Sequence, residues 1–374
     1  MITQNLANLL QAIAEGKGFK FGDITKTNEN AVGFVIPIIK ENAKPRKYIM
    51  LEESKKVTIE DTGKIERVRV INGENTNVFI RKGTIFEGKS QERAAVGGVV
   101  LEPNEEREID VKCIHASKGI RTGTKFNVSP HYTPRLISAN LHRSQSAVWQ
   151  SVSYFASTAS PLIGASISHT NDDLVRTLRE VEKAKEKIEG LIKDIPIVEN
   201  QVGIIVFGFT GVEGFEVFDH PDSWKALHKK VIAKYSDVLN EVAEEPIYEL
   251  KKGIINQKMN DFIEKVLIAK EEIYHATRNA RTMLLESNEV IGEYSEIDSD
   301  IIHVILMKKE DGGSDSKREI AREVTRGDFT EEPKRNHRRG LIIPTNWRRR
   351  NPFNRSWKST DLLIGDEYGR TYRE

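Results

Sequence analysis

Between Val32 and Cys113 the apolar residues keep a period of two, and this alternation limits what the chain can fold into more than any other feature. Val68 and Val70, Val78 and Ile80, and Val99 and Leu101 form short apolar pairs separated by turn signals such as Asn72 and Gly73. Ile109, Val111 and Cys113 continue the pattern against charged neighbours. Successive side chains of a strand point to opposite faces, so this spacing predicts antiparallel strands with one wet face.

Elsewhere the period is helical. Ile2, Leu6, Leu9, Leu10 and Ile13 share one helical face, with Gly16 as the stop. The text turns less polar and more aromatic around Ser144 to Val152, and the small-residue stretch from Ser157 to Ser168 reads as a junction. Behind Asn171 as N-cap, Leu174, Leu178, Val181, Ile188 and Ile192 predict a helix of about twenty residues. Val202 to Phe209 reads as a buried strand, and Pro221 opens a helix whose stripe is Trp224, Leu227, Val231, Tyr235, Val238 and Val242. A third helix is expected between Lys258 and Leu285, then a buried strand over Ile301 to Met307 and a linker from Asp311 to Ser316. The fold class is therefore α+β: an antiparallel β-rich N-terminal half packed with a helical C-terminal half, plus a basic C-terminal tail. Residues 1–30 form a helix and lead-in, 31–310 the main domain (β-rich over 31–155, mixed helical over 170–310), and 311–374 the basic linker and tail.

Formal net charge is +1, but from Lys317 onward there are fifteen Lys and Arg against nine Asp and Glu, which leaves the body mildly acidic. Between Lys334 and Lys358 nine basic residues occur with no acidic one. Arg338, Arg339, Trp347, Arg348, Arg349, Arg350 and Trp357 lie in this stretch. Arginines neutralise phosphates and aromatic rings stack on bases, which suits a nucleic-acid contact; the same mixture suits docking on an acidic protein surface. The single cysteine, Cys113, excludes an intramolecular disulfide and a Cys-rich zinc site. Neither a signal peptide nor an uncharged apolar run of membrane-spanning length is legible, so cytoplasmic residence and no membrane partner are expected. The nine histidines form no ligand-spaced pair, and no metal or cofactor is expected.

Gly83, Gly88, Lys89 and Ser90 match the written pattern of a phosphate-binding P-loop. The context argues for coincidence: Thr84, Ile85 and Phe86 are strand formers, and Gly97 and Gly98 interrupt the helix that should follow. Gly208, Gly211 and Gly214 similarly read as a turn between strands rather than a dinucleotide loop, because Phe215 to Phe218 is strand-like. Asp219 and His220 precede Pro221, where they serve as helix caps or as an anion or acid-base site. Cys113 and His115 share a strand face, as a thiolate and its base would, and as a structural cysteine beside a histidine would. No complete catalytic grouping is legible among Cys113, His115, Asp219 and His220.

The runs Gly83 to Arg93, Asp110 to His115, Pro134 to Leu136, Gln145 to Trp149, Gln201 to Val206 and Gly214 to Asp219 occur in that order. Together they resemble the ARG and rhodanese-phosphatase-superfamily-associated protein domain family over roughly Lys47 to Met307. The resemblance implies work in NAD or ADP-ribose metabolism, without an established reaction. Its G-x-x-Q-x-R pattern falls on Gly88, Gln91 and Arg93; where the family usually has a glutamate after its cysteine strand, this chain has His115. On that basis Gly88, Gln91, Arg93, Arg135 and Trp149 are the expected ligand site, an ADP-ribose-like or other phosphorylated molecule being the partner. Arginines grip phosphate bidentately, the Gln91 amide donates, and the indole covers a base or ribose. The same side chains also hold β-rich domains together through Arg–carboxylate pairs and a buried indole.

Overall fold

A computed structural model describes residues 2–27, 30–163, 173–186, 194–241 and 252–309. In chain order, helix α1 (Gln4–Ala14) precedes β1 (Phe19–Phe21), β2 (Phe34–Lys40), β3 (Tyr48–Met50), a 3-10 turn at Leu51–Glu53, β4 (Val57–Asp61) and β5 (Arg67–Asn72). Next come β6 (Asn77–Ile80), β7 (Thr84–Gly88), β8 (Arg93–Ala95), β9 (Val99–Leu101), β10 (Glu106–Cys113) and β11 (Lys125–Tyr132). Helices α2 (Arg135–Asn140), α3 (Gln145–Ile163) and α4 (Leu174–Glu186) lead to the hairpin β12 (Gln201–Gly208) and β13 (Gly211–Phe218). The chain continues with α5 (Pro221–Lys234), α6 (Ser236–Leu239) and α7 (Lys252–Leu267), then β14 (Lys270–Ala276), β15 (Ala280–Glu286), β16 (Val290–Ile297) and β17 (Asp300–Lys308).

The strands form three sheets. Of the predicted alternating segments, Val78 and Ile80 fall on β6 and Val99 and Leu101 on β9, whereas those at Val68 to Val70 and Ile109 to Cys113 join a six-stranded antiparallel barrel, β10-β5-β4-β11-β7-β8. Its interior takes Val68, Val70, Phe86, Ala95, Ile109, Val111 and Phe126, while Ile85 and Ala94 face outward and pack on α2, α3 and α4. A three-stranded sheet, β3-β6-β9, adjoins it, and an eight-stranded sheet runs β1-β2-β12-β13-β17-β16-β15-β14. One face of the large sheet receives the apolar stripes of α1 and α7. Its other face receives α5, through Trp224, Leu227, Val231 and Tyr235, together with Tyr48, Met50 and Phe79 of the three-stranded sheet.

Local sequence accounts for several element ends. Gly16 takes φ +69° and its N–H closes on Ile13, ending α1. Pro221 occupies the first turn of α5, where no N–H is needed, and the His220 ring accepts from the Asp222 N–H. Three expectations differ. The third helix stops at Leu267, and residues 270–286 form the β14–β15 hairpin. Ala280, Met283, Leu284 and Leu285 are good helix formers, yet seven register pairs with β16 outweigh local propensity. The small residues after Ser157 continue α3 to Ile163 instead of loosening into a linker, because Ala156 and Ala159 are buried packing positions. The start of α4 is served by Asp173, whose carboxylate accepts the Arg176 N–H at 3.0 Å. Asn171, Ile188, Ile192, Val242, the 311–316 linker and the tail lie outside the described residues.

A fully buried ion pair crosses between these layers. Glu216 of β13 and Glu293 of β16 both stand opposite Ile305 of β17, so one cross-strand row carries two carboxylates on the same buried face. Arg81, just after β6, donates to Glu216 through Nε and, at 2.5 Å, through Nη2; both residues are fully buried. His303 Nε2 adds a contact at 3.0 Å. Burial disfavours the charged carboxylate, but the Arg81 charge and then that of Lys234 outweigh it, and Glu216 is held below the usual carboxylate range. Replacing Glu216 by Gln leaves a buried guanidinium uncompensated, and urea unfolding should show a loss of about 3–5 kcal/mol. Replacing both partners, as Arg81→Met with Glu216→Leu, should cost less than either single change. A single-variant loss within the roughly 0.5 kcal/mol typical of surface positions would contradict this role.

Candidate functional site

The ends of β4, β7 and β10 and the starts of β5, β8 and β11 meet at one rim of the barrel, because each neighbouring pair is antiparallel. Three connections reach this mouth: residues 62–66 between β4 and β5, residues 89–92 between β7 and β8, and residues 114–124 between β10 and β11. Arg93, opposite Cys113 in the register, is wholly buried just inside. Its Nη1 donates to the Gln91 carbonyl at 2.6 Å and to Gln91 Oε1 at 2.9 Å. Its Nη2 stands 3.9 Å from the Asp61 carboxylate. Arg93 Nε and Nη2 have no hydrogen-bond partner among the described residues.

The loops are stitched to this base. Gln91 Nε2 donates to the His115 carbonyl at 3.0 Å, and Ser90 donates to Asp61 while accepting the Arg121 N–H at 2.9 Å. Glu92 accepts from His115 Nδ1 at 2.6 Å and from the Lys118 ammonium, which also reaches the Gly88 carbonyl at 2.7 Å. Asp173 brings a second carboxylate to 3.6 Å from His115. Burial disfavours the imidazolium, but the bond to Glu92 and the Asp173 charge outweigh it, so the His115 pKa lies above its ordinary value. Glu92 is held below the usual carboxylate range: burial pushes it up, and the His115 and Lys118 contacts more than reverse that.

Cys113 is tied to α3, its N–H donating to Gln145 Oε1 at 2.9 Å and its carbonyl accepting from Gln145 Nε2 at 2.7 Å. One helical turn later, the half-buried Trp149 brings its indole against the thiol. Burial pushes the Cys113 thiol up, and the thiol donates to the His115 carbonyl at 3.2 Å, so the sulfur is a neutral packing group rather than a nucleophile paired with the imidazole.

Of the expected ligand residues, Gly88, Gln91, Arg93 and Trp149 therefore gather at the barrel mouth, and Arg135 does not. Strand β11 carries the chain from Lys125 at the mouth to Tyr132 at the far rim, eight residues at about 3.3 Å each. Arg135 opens α2 beyond that end and pairs with Asp237 at 3.1 Å and Glu213 at 3.4 Å. The single hollow lined by both arginines is not formed. Asp219 and His220 occupy another neighbourhood: Asp219 accepts from the Tyr48 hydroxyl at 2.7 Å, and His220 caps α5. Residues 84–88 of the P-loop-like run are strand β7, and Gly83 is required by φ +79° against the Tyr132 and Thr133 side chains. The turn after Gly208 joins β12 to β13. Glu92, Lys118, Asp61 and Asp173 were not legible as site residues, since only Glu92 lies inside the short motif.

The family model for the ARG and Rhodanese-Phosphatase-superfamily-associated Protein domain, ARPP-1, matches residues 34–307. The chain belongs to that family, and the match takes in the barrel, α2 to α7 and the large sheet from β2 onward. No curated protein and no solved structure matches the chain. Among the described residues no helix is long and apolar enough to cross a membrane. Arg338, Arg339, Trp347, Arg348, Arg349, Arg350 and Trp357 lie outside the described residues.

Because the folded pKa of His115 exceeds the ordinary 6.5, its pairing stabilises the mouth fully below that value and weakens as pH rises through the folded value. An NMR titration should place the His115 pKa above 6.5 in the wild type and lower it in Glu92→Gln. An unchanged value in that variant would assign the shift elsewhere.

Proposed function

We propose that the barrel mouth binds a phosphorylated small molecule, of the ADP-ribose or NAD class that the family's associations suggest. The observation that carries this reading is the buried Arg93 guanidinium, with two nitrogens that make no hydrogen bond among the described residues, beneath a rim bearing Lys118 and the exposed Lys89 and Arg121. A planar guanidinium presents its donors in a fork that suits phosphate oxygens, and a rim of flexible cations raises the local concentration of anions. Lys118 and His115 share Glu92, so an incoming phosphoryl group competes with that carboxylate for two cations already aimed at the mouth. Trp149, half-buried beside Cys113, offers an aromatic surface for a base or ribose.

Calorimetry of the full chain with ADP-ribose, AMP and inorganic phosphate tests this. Lys118→Ala should weaken the nucleotide ligands about tenfold, and Arg93→Lys, which keeps charge but loses the fork, should weaken them at least as much. Arg135→Lys should leave binding unchanged. Absence of binding heat for the nucleotides with the intact chain, or wild-type affinity in both Lys118→Ala and Arg93→Lys, would overturn the reading.

A further inference from the structure

Away from the mouth, a second charged cluster is sealed between the large sheet, the end of α5 and the turn after β6. We propose that it is a binding site for a compact oxyanion, inorganic phosphate, held between Arg81, Lys82 and Lys234. Three cationic side chains face two carboxylates, Glu216 and Glu293, and all five are fully or almost fully buried. Glu216 is already engaged by two guanidinium nitrogens and by His303. Lys234 Nζ stands 3.9 Å from it, too far to hydrogen-bond.

The donors left over define the ligand. Arg81 Nη1, Lys82 Nζ, Lys234 Nζ, Tyr132 Oη and Tyr235 Oη have no hydrogen-bond partner among the described residues. Tyr132, Tyr235 and Lys234 adjoin the Arg81–Glu216 pair, and Lys82 lies toward Glu293: the guanidinium is 4.0 Å from the centroid of the Tyr132 ring, and Lys234 Nζ 5.3 Å from that of Tyr235. Glycines make room for both phenols. A Cβ at Gly83 would sit 2.8 Å from Tyr132 Oη, and one at Gly214 would sit 2.5 Å from Tyr235 Oη. Buried polar groups in folded proteins find partners, and a set made up of donors calls for an anion with several acceptor oxygens.

Two further features narrow the class. Glu293 Oε1 accepts the Gly98 N–H at 2.7 Å, while Oε2 has no hydrogen-bond partner among the described residues and lies 3.7 Å from His142 Nε2. An unpaired carboxylate oxygen accepts a proton donor; monohydrogen phosphate carries one and sulfate carries none. Burial drives Lys234 well below the ordinary lysine range and Lys82 down to about 8, and an anion between them would favour the charged form of each.

The test uses the full chain, dialysed free of phosphate, with thermal unfolding followed against added inorganic phosphate or sulfate. Equilibrium dialysis with radiolabelled phosphate, run to completion because the site is enclosed, gives the affinity. Phosphate should raise the midpoint more than sulfate and bind stoichiometrically. Lys234→Met and the conservative Tyr235→Phe should each weaken it about tenfold or more, and Lys118→Ala at the mouth should not. Should Lys234→Met fail to fold, Tyr235→Phe carries the test. Absence of bound phosphate overturns the assignment, as does equal binding of sulfate. Loss of binding in Lys118→Ala but not in Tyr235→Phe would place the anion at the barrel mouth instead, leaving the Proposed function standing and this inference without support.

Discussion

The contact between Arg81 and Glu216 joins parts of the chain that hydrophobic patterning alone does not orient. Arg81 follows β6 of the small sheet and leads through Gly83 into the barrel, while Glu216 lies mid-strand in the large sheet. Hydrophobic burial brings these layers together but is non-directional. A buried charge is tolerated only with its partner in place, so the pair ties the seating of the barrel to one register of the β13–β17–β16 row. Tyr235, pressed on Gly214, and Tyr132, pressed on Gly83, close the same junction from α5 and β11.

Two charged clusters with opposite relations to solvent follow from this seating. At the barrel mouth the cations and carboxylates are largely matched, with Lys118 and His115 partly exposed and Glu92 shared between them. Solvent screening and flexible side chains make such a site adjustable. Between the layers Arg81 and Glu216 are matched and shielded while the Lys82 and Lys234 ammoniums lack a hydrogen-bond partner among the described residues, so each interaction there is stronger and each unsatisfied donor more costly. Both clusters grow from the segment between Ile80 and Arg93, one from its start and the other from its end. Strand β7 spans the distance between them.

Several elements were readable because a local rule and the tertiary context agree. Val68 and Val70 point into the barrel as their alternation predicts, and Pro221 opens α5 with Trp224, Leu227 and Val231 on its buried stripe. The short motif containing Gly88, Gln91 and Arg93 marked the mouth because a turn keeps near neighbours together. Hairpin β14–β15 was not readable, since its residues are helix formers whose strand state comes from pairing with β16. Arg135 was misplaced for a different reason: shared membership of a family motif set says nothing about which end of a strand each motif occupies. Asp61 and Asp173 reach the mouth from distant segments, and no spacing in the chain announces them.

By itself the sequence determined the strand-forming front half, the helical stripes, the caps and the candidate motif at Gly88 to Arg93, because these depend on periodicity and on residues within a few positions of each other. Only the tertiary structure decided that the strands close into a barrel, that Arg93 and Arg135 face different partners, and that Arg81, Lys82, Lys234, Glu216 and Glu293 share one sealed interior. The physical reason is that charge interactions act through space between side chains about two hundred positions apart, as between Lys82 and Glu293, whereas propensity and periodicity act along the chain.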